Sequence, residues 1–353
     1  MKQIVLTGGG TAGHVTPNIA LLPALRAAGY HISYIGSREG IEKKLMEAQK
    51  IPYYGISSGK LRRYFDWKNF TDPFRVIKGF AEASSLMKKL KPDIVFSKGG
   101  FVSVPVVMAA RRHHIPVICH ESDLTPGLAN RLSIPGATKI CCNFPETLSH
   151  LPEGKAVLTG CPIRRELMEG KKAAALTLTG FLPDKPVLMV MGGSLGAAAV
   201  NQAVRDALPE LLKDWQIVHL CGKGKLDETL RHTKGYVQYE YIQNELPDLF
   251  ALCDLVISRA GANAICELLA LRKPTLLIPL PAKASRGDQI LNARSFERQG
   301  FSMVIEEEQL NKEALLQAVA HLSQHRSDYI TAMEQCPQTD PIAAILSLIE
   351  ETV

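Results

Sequence analysis

The chain reads as an α/β protein made of two doubly wound, Rossmann-like parallel sheets. Three observations predict this. Apolar strand patterns alternate with helical ones along all 353 residues, as they do where helices cross over a parallel sheet. Glycine-rich turns follow apolar strands and open helices. The two halves also echo each other. GGTAGHVTPN (9–18) and GGSLGAAAVN (192–201) share Gly-Gly-x2-Gly-x4-Asn, and DIVFSKGG (93–100) matches DLVISRAG (254–261). The first pair lies 183 residues apart and the second 161, in the same order. One such pair is coincidence; two in register indicate a repeated fold.

Taken in order, Ile4 to Leu6 form a short apolar strand, and GGGTAGH (8–14) follows with Gly8, Gly10 and Gly13 at Gly-x-Gly-x-x-Gly spacing. Ile19, Leu22 and Leu25 then recur at the period of a helix. Such a loop offers a phosphate backbone N–H groups and the positive end of a helix dipole. A nicotinamide dinucleotide needs more, an acid ending the second strand to grip its ribose. That strand, HISYIGS (31–37), ends on Gly36 and Ser37, and the first acid, Glu39, comes later. This argues against a dehydrogenase.

The next stretch, KLRRYFDWKNFTDPFRVIKGF (60–80), interleaves Leu61, Phe65, Trp67, Phe70, Phe74, Ile77 and Phe80 with lysines and arginines. Pro73 and its neighbouring turn residues break it, so it cannot bury one continuous stripe; it suits an anionic membrane surface. DIVFSKGG is the next strand and turn, and a helix and the Pro-led strand IPVIC (115–119) lead to HESD (120–123). In LTGCPIRREL (158–167), Gly160 and Pro162 interrupt regular structure, dividing a domain at 1–160 from one at 161–340.

In the second domain, a strand precedes GGSLGA, and another ends at Ser258 in SRAGANAICE (258–267). There Glu267 falls in the first turns of a helix, placed to accept two hydrogen bonds from a ribose diol while the helix start faces phosphate. The tail IAAILSLIEETV (342–353) is an amphipathic helix, expected to pack back on the N-terminal domain. The loops at 8–14, 97–103, 192–197 and 258–264 all follow strand carboxyl ends, where open α/β sheets bind ligands. They are expected to line one interdomain site.

Composition narrows the class. With 46% hydrophobic and 22% charged residues the chain is an ordinary globular protein. No run approaches the 18 apolar residues of a membrane span, and MKQIVLTGGG does not read as a secretory signal. Eight cysteines without CxxC spacing suggest reduced thiols in a cytoplasmic setting. Residues 1–158 carry a net +10 and residues 159–353 a net −4, which predicts an anionic partner for the first half. There is no D-x-D and no cluster with metal-ligand spacing, so neither metal nor cofactor is expected. A nucleoside diphosphate leaving group would then be stabilised by N–H groups, a helix dipole and arginine.

In this order, GGGTAGHVTPN, FSKGGFVSVP, HESD, GCPIR, GGSLGA, SRAGANAICE and DQILNA resemble the MurG family of glycosyltransferases over essentially the whole chain. The resemblance implies the GT-B fold and transfer of GlcNAc from UDP-GlcNAc to lipid I on the cytoplasmic face of the cell membrane. Implied partners are UDP-GlcNAc, lipid I, the anionic membrane surface and cell-wall synthesis proteins, with no nucleic acid. Thr11, Ala12 and Gly13 match loop residues at the donor–acceptor junction, Ala12 replacing the family's usual glycine. Arg164 matches an arginine near the donor, Ser194 a phosphate-contacting serine, and Ile242 the residue whose backbone meets uracil. The donor-binding turn corresponds to Ala262, Asn263, Ala264, Ile265, Cys266 and Glu267, with Glu267 on the ribose. Gln289 matches a glutamine that reads sugar hydroxyls. Asp123 departs from the family's HEQN and cannot donate an amide proton.

The chemistry so implied needs a base for the acceptor hydroxyl. His14, closing the first glycine loop, is the first candidate, because an unperturbed imidazole is suited to act as a base at neutral pH. His120, oriented by Glu121, is the alternative, and the sequence does not separate them. Rival readings are another GT-B UDP-sugar transferase, a UDP-GlcNAc epimerase, and a nucleotide-binding regulator without catalysis.

Overall fold

A computed structural model describes residues 2–59, 68–193, 196–242, 244–283, 286–337 and 340–353, with the side chains of 68–74 outside that description. The chain divides into two compact units, residues 1–164 with 339–353, and residues 165–338.

The first unit holds seven strands: β1 (Gln3–Thr7), β2 (His31–Ser37), β3 (Tyr53–Ile56), β4 (Ile94–Ser97), β5 (Val117–Glu121), β6 (Lys139–Cys142) and β7 (Ala156–Leu158). Their order is β3-β2-β1-β4-β5-β6-β7, and every pairing is parallel. The strand residues alternate between two cores, one on each face of the sheet. Ile4 and Leu6 join Tyr34, Phe96 and Leu21 on one face. Val5 joins Ile35, Val95 and Val117 on the other. The C-terminal helix, Pro341–Thr352, belongs to this unit. Asp340 caps it, accepting from the N–H groups of Ile342 and Ala343 at 3.0 Å each. Ile345, Leu348 and Ile349 complete the core that contains Ile4 and Leu21.

The second unit holds β8 (Val187–Met191), β9 (Gln216–Leu220), β10 (Tyr236–Tyr239), β11 (Leu255–Ser258), β12 (Thr275–Leu277) and β13 (Ser302–Val304). They lie in the order β10-β9-β8-β11-β12-β13, again all parallel. Leu188, Val190, Ile217 and Ile257 pack under the helices Ala198–Asp214 and Lys312–Gln324 through Val204, Leu208, Leu315 and Val319.

The internal echo has a common structural meaning in both units. Asp93 accepts from Gln3 N at 2.6 Å, and Asp254 from Val187 N at 2.9 Å, so each aspartate fixes the start of its sheet's first strand. Asn18 and Asn201 are both buried. Asn18 Nδ2 donates to Thr7 O (3.3 Å) and Tyr34 OH (3.3 Å), and Asn201 Nδ2 donates to Cys221 O (2.8 Å). Each therefore ties its helix to neighbouring strand ends. In both sheets the strand order reverses direction between the first and fourth strands, and the glycine turns leave from there.

Candidate active site

In the first unit two glycine turns interlock at the β1–β4 switch point. Gly9 N donates to Gly99 O at 3.3 Å, and a Cβ on Gly100 would lie 2.3 Å from Gly9 O. Gly100, at φ +86°, can be nothing larger. After the turn, Ala12–His14 form one 3-10 turn leading into the helix Thr16–Ala27. Among non-glycine residues with positive φ, Ala12 does not figure, so its methyl adds no backbone strain. Thr11 is exposed, while Ala12, Gly13 and His14 are half-buried. Thr11 Oγ1 lies 3.1 Å from His14 Nδ1.

The acid absent from the end of β2 is replaced from the next helix. Glu42, in Ile41–Ala48, is fully buried and reaches back to accept from Ser37 N (3.0 Å), Ser37 Oγ and Gly10 N (3.4 Å). Its carboxylate fills the place between glycine loop and β2 where a dinucleotide ribose would sit. Nothing in the local sequence marks Glu42, because its carboxylate acts five residues back along the chain, at Ser37.

His120 and Glu121 end β5, but they do not form an imidazole–carboxylate pair. His120 is wholly buried, with Nδ1 2.7 Å from Lys98 Nζ and Nε2 3.0 Å from Gly160 O. Burial and the Lys98 charge hold its pKa well below the ordinary imidazole value. Glu121 instead accepts from Asp123 N (3.0 Å), Gly127 N (3.0 Å) and Asn130 Nδ2 (2.7 Å), stapling the turn that carries Asp123. Burial, then the neighbouring Asp123 charge, raise the Glu121 pKa. The expectation that Glu121 orients His120 is thereby corrected: the ring is held by Lys98 and Gly160. Asp123 is half-buried, and so is Arg164, the last residue of the first unit's long segment.

In the second unit, Gly192, Gly193 and Gly196 lie in the turn between β8 and the helix Ala198–Asp214. A Cβ on Gly196 would meet Cys221 O at 2.0 Å. Ser194 lies outside the described residues, and Ile242 is half-buried beyond β10. After β11, Gly261 caps the helix Ala262–Ala270. Ala262 and Ile265 turn their side chains into the protein, while Asn263, Ala264, Cys266 and Glu267 are half-exposed. Ile265 N is the first of this helix to bond back, to Gly261 O at 3.1 Å. The N–H groups of 262–264 therefore have no acceptor within the helix. Glu267 stands in the second turn of this helix.

Three further residues tie the surroundings of this turn together. Arg259 donates to Ile278 O (3.1 Å) and Pro279 O (3.2 Å) and pairs with Glu307. It is the counterpart of Lys98 in the echo. Gln289, in the helix Asp288–Arg298, accepts from Leu280 N at 3.0 Å, and Asn292 one turn on donates to Ala260 O at 3.4 Å. The Gln289–Asn292 spacing in DQILN is the sequence signal that would have found Asn292. Among the described residues no group of three or more His, Cys, Asp or Glu is arranged to hold a metal.

Two parallel sheets of this strand order, each opening a glycine turn at its switch point, make the GT-B fold. Residues 4–142 match the glycosyltransferase family 28 N-terminal domain and residues 187–348 its C-terminal domain. The chain belongs to glycosyltransferase family 28, in its MurG branch. It is 67% identical over 351 residues, 99% of both chains, to the UDP-N-acetylglucosamine--N-acetylmuramyl-(pentapeptide) pyrophosphoryl-undecaprenol N-acetylglucosamine transferase of Lachnospira eligens. It is 57% identical, with the same coverage, to the enzyme of that name from Clostridium botulinum. A crystal structure of MurG from Acinetobacter baumannii superposes with a TM-score of 0.79 at 26% identity, covering 99% of this chain and 100% of that one. A putative UDP-N-acetylglucosamine 2-epimerase from Listeria monocytogenes shares the fold, with a TM-score of 0.72 at 14% identity over 99% of this chain and 96% of that one.

Proposed function

We propose that this protein is an inverting transferase that moves GlcNAc from UDP-GlcNAc to the C4 hydroxyl of MurNAc in lipid I, forming the β-1,4 link of lipid II in peptidoglycan synthesis. The observation that carries this reading is identity of 67% across 99% of the chain to a transferase of that name. The epimerase likeness, at 14% identity, speaks for the fold alone.

In this reading the first unit takes the acceptor and the second the donor. The N–H groups of 262–264 and the helix dipole meet the UDP diphosphate, and Glu267 accepts from the ribose diol. Gln289, its Oε1 engaged by Leu280 N, directs its amide N–H groups to the sugar. His14 is the base. Thr11 Oγ1, 3.1 Å from its Nδ1, orients the ring, and the imidazole takes the acceptor proton. As the C4 oxygen bonds to the anomeric carbon, the bond from that carbon to the diphosphate oxygen breaks, and UDP leaves with inversion. His120 is ill suited to this task, because both its ring nitrogens are engaged inside the protein. Transfer of labelled GlcNAc from UDP-GlcNAc to a lipid I analogue tests the whole reading; absence of labelled product would refute it.

The enzyme further sits at the cytoplasmic membrane surface in this reading, where the acceptor's polyprenyl tail is held. Residues 60–67 lie outside the described residues, and so do the side chains of Phe70 and Phe74. The helix Lys68–Leu90 runs through Pro73, so the expected break there is corrected; within it Phe80 packs against the core, whereas Ile77 is 65% exposed. The neighbouring helices Ser103–Arg112 and Leu128–Ser133 also expose Met108, Leu128 and Leu132. Exposed Arg75, Lys78, Arg111, Arg112 and Arg131 accompany them. No helix among the described residues is long and apolar enough to cross a membrane.

A further inference from the structure

We infer that Lys98 is a positioning residue of the acceptor half: its buried ammonium holds His120 in one imidazole form and joins the segments 98–100, 120–123 and 160–164 into a single hydrogen-bonded unit. The inference rests on the transferase reading for its kinetic consequence, but its structural core is independent of it.

Lys98 follows β4 immediately before the Gly99–Gly100 turn and is 1% exposed. Its Nζ lies 2.7 Å from His120 Nδ1 and donates also to Ser122 Oγ. An ammonium has donors only, so Nδ1 must accept and the ring proton must reside on Nε2. Nε2 then donates to Gly160 O at 3.0 Å. Gly160 N in turn donates to Cys142 O at 3.1 Å, fixing the start of the stretch that ends in Arg164. One cation thus sets the direction of both hydrogen bonds of the His120 ring, linking the glycine turn to Gly160.

Burying an ammonium is costly, and an apolar side chain of equal length would serve packing alone at least as well. What methionine could not do is donate to Nδ1. Among the described residues, the titratable groups beside the ring are Lys98, which follows β4, and Cys141, the register partner of His120 on β6, while Glu121, next along β5, is turned to the 123–130 segment. Phe96 lies against the ring as well, with centroids 6.3 Å apart. Lys98 and Gly160 lie at hydrogen-bond distance from the ring nitrogens, and they act on opposite nitrogens.

The test is nitrogen NMR of the full chain labelled in histidine, with His120→Asn identifying the signal. In the parent, His120 should be protonated on Nε2 and should not titrate between about pH 6 and 9, a range that spans the ordinary imidazole transition. Lys98→Met should mix the two neutral forms and bring back titration. It should also lower kcat/KM for the acceptor about tenfold or more while leaving UDP affinity unchanged. Ser122→Ala removes the other ammonium contact and should keep the Nε2–H form. A parent ring protonated on Nδ1, or titrating near neutrality, overturns the inference even if Lys98→Met does not fold. So does a Lys98→Met protein with the parent's ring spectrum or unchanged acceptor kinetics. Failure of the parent to transfer GlcNAc would count against the function alone, since the ring spectrum is read without turnover.

Discussion

Glu267 and His14 are the side chains on which the proposed chemistry turns, and each makes a separable prediction. Glu267→Ala removes two hydrogen bonds from the ribose to a charged acceptor. At ~1.5–3 kcal/mol for such a bond, donor affinity should fall about tenfold or more in a calorimetric titration with UDP-GlcNAc; an unchanged constant removes Glu267 from the site. His14→Ala should instead lower kcat by a factor of ~10² or more, the scale of general-base loss, with UDP binding nearly intact. If the variant only raised the acceptor KM, His14 would be a binding residue. The contrast with His120 could not be drawn before folding. Both histidines end or follow glycine-bearing or strand-end motifs, and only burial and the two ring contacts separate them. Glu42 shows the same limit, since nothing in its local pattern says that its carboxylate turns back under the Gly8–Gly10 loop.

At the scale of elements, the asparagines of the echo carry more than the glycines suggest. Asn201 Oδ1 lies 3.0 Å from His219 Nε2, and His219 Nδ1 lies 2.8 Å from Tyr236 OH, so one buried network joins the helix Ala198–Asp214 to β9 and β10. Burial, reinforced by the Arg205 charge, pushes the His219 pKa down to about 3 from 6.5. Between these values the unfolded chain binds a proton that the native state refuses. Stability is therefore intact above about 6.5, declines as pH falls through the window, and the loss is complete below about 3. Denaturant midpoints at about pH 7.5 and pH 5 should differ in that direction, and His219→Gln should reduce the difference, the buried His120 supplying part of the rest. A variant as pH-sensitive as the parent would assign the effect elsewhere. The C-terminal helix makes a second element-scale prediction. Ile345 is fully buried in the core containing Ile4, so Ile345→Ala should cost ~2–5 kcal/mol, read as a lower denaturant midpoint.

For the whole molecule, the predictions concern where it works and what it needs. The basic first half and the exposed apolar residues of three adjacent helices should give salt-sensitive, reversible binding to anionic vesicles. Replacing Ile77 and Met108 with serine, together with Arg111 and Arg112 with glutamine, should reduce co-sedimentation. Turnover of a short-chain soluble acceptor should survive the same changes. Equal sedimentation at low salt would return this face to ordinary solvent exposure. Activity should also persist in EDTA, as the missing D-x-D suggests; inactivation reversed by a divalent cation would show that the leaving diphosphate needs a metal.

By itself the sequence determined that two parallel sheets repeat, where their glycine turns lie, and to which family they belong. These features are local or periodic: strand apolarity, turn glycines and an echo in register survive projection onto a line. Asn18 and Asn201, and Lys98 and Arg259, were even aligned by that echo before their contacts were known. Only the tertiary structure decided what those side chains do. It placed Lys98 against His120 rather than toward a ligand, turned Glu121 to the 123–130 turn, and brought Glu42 back under the first glycine loop. The reason is physical. A buried polar group must find its hydrogen-bond partner wherever the packed chain supplies one, and that partner's distance along the sequence carries no pattern.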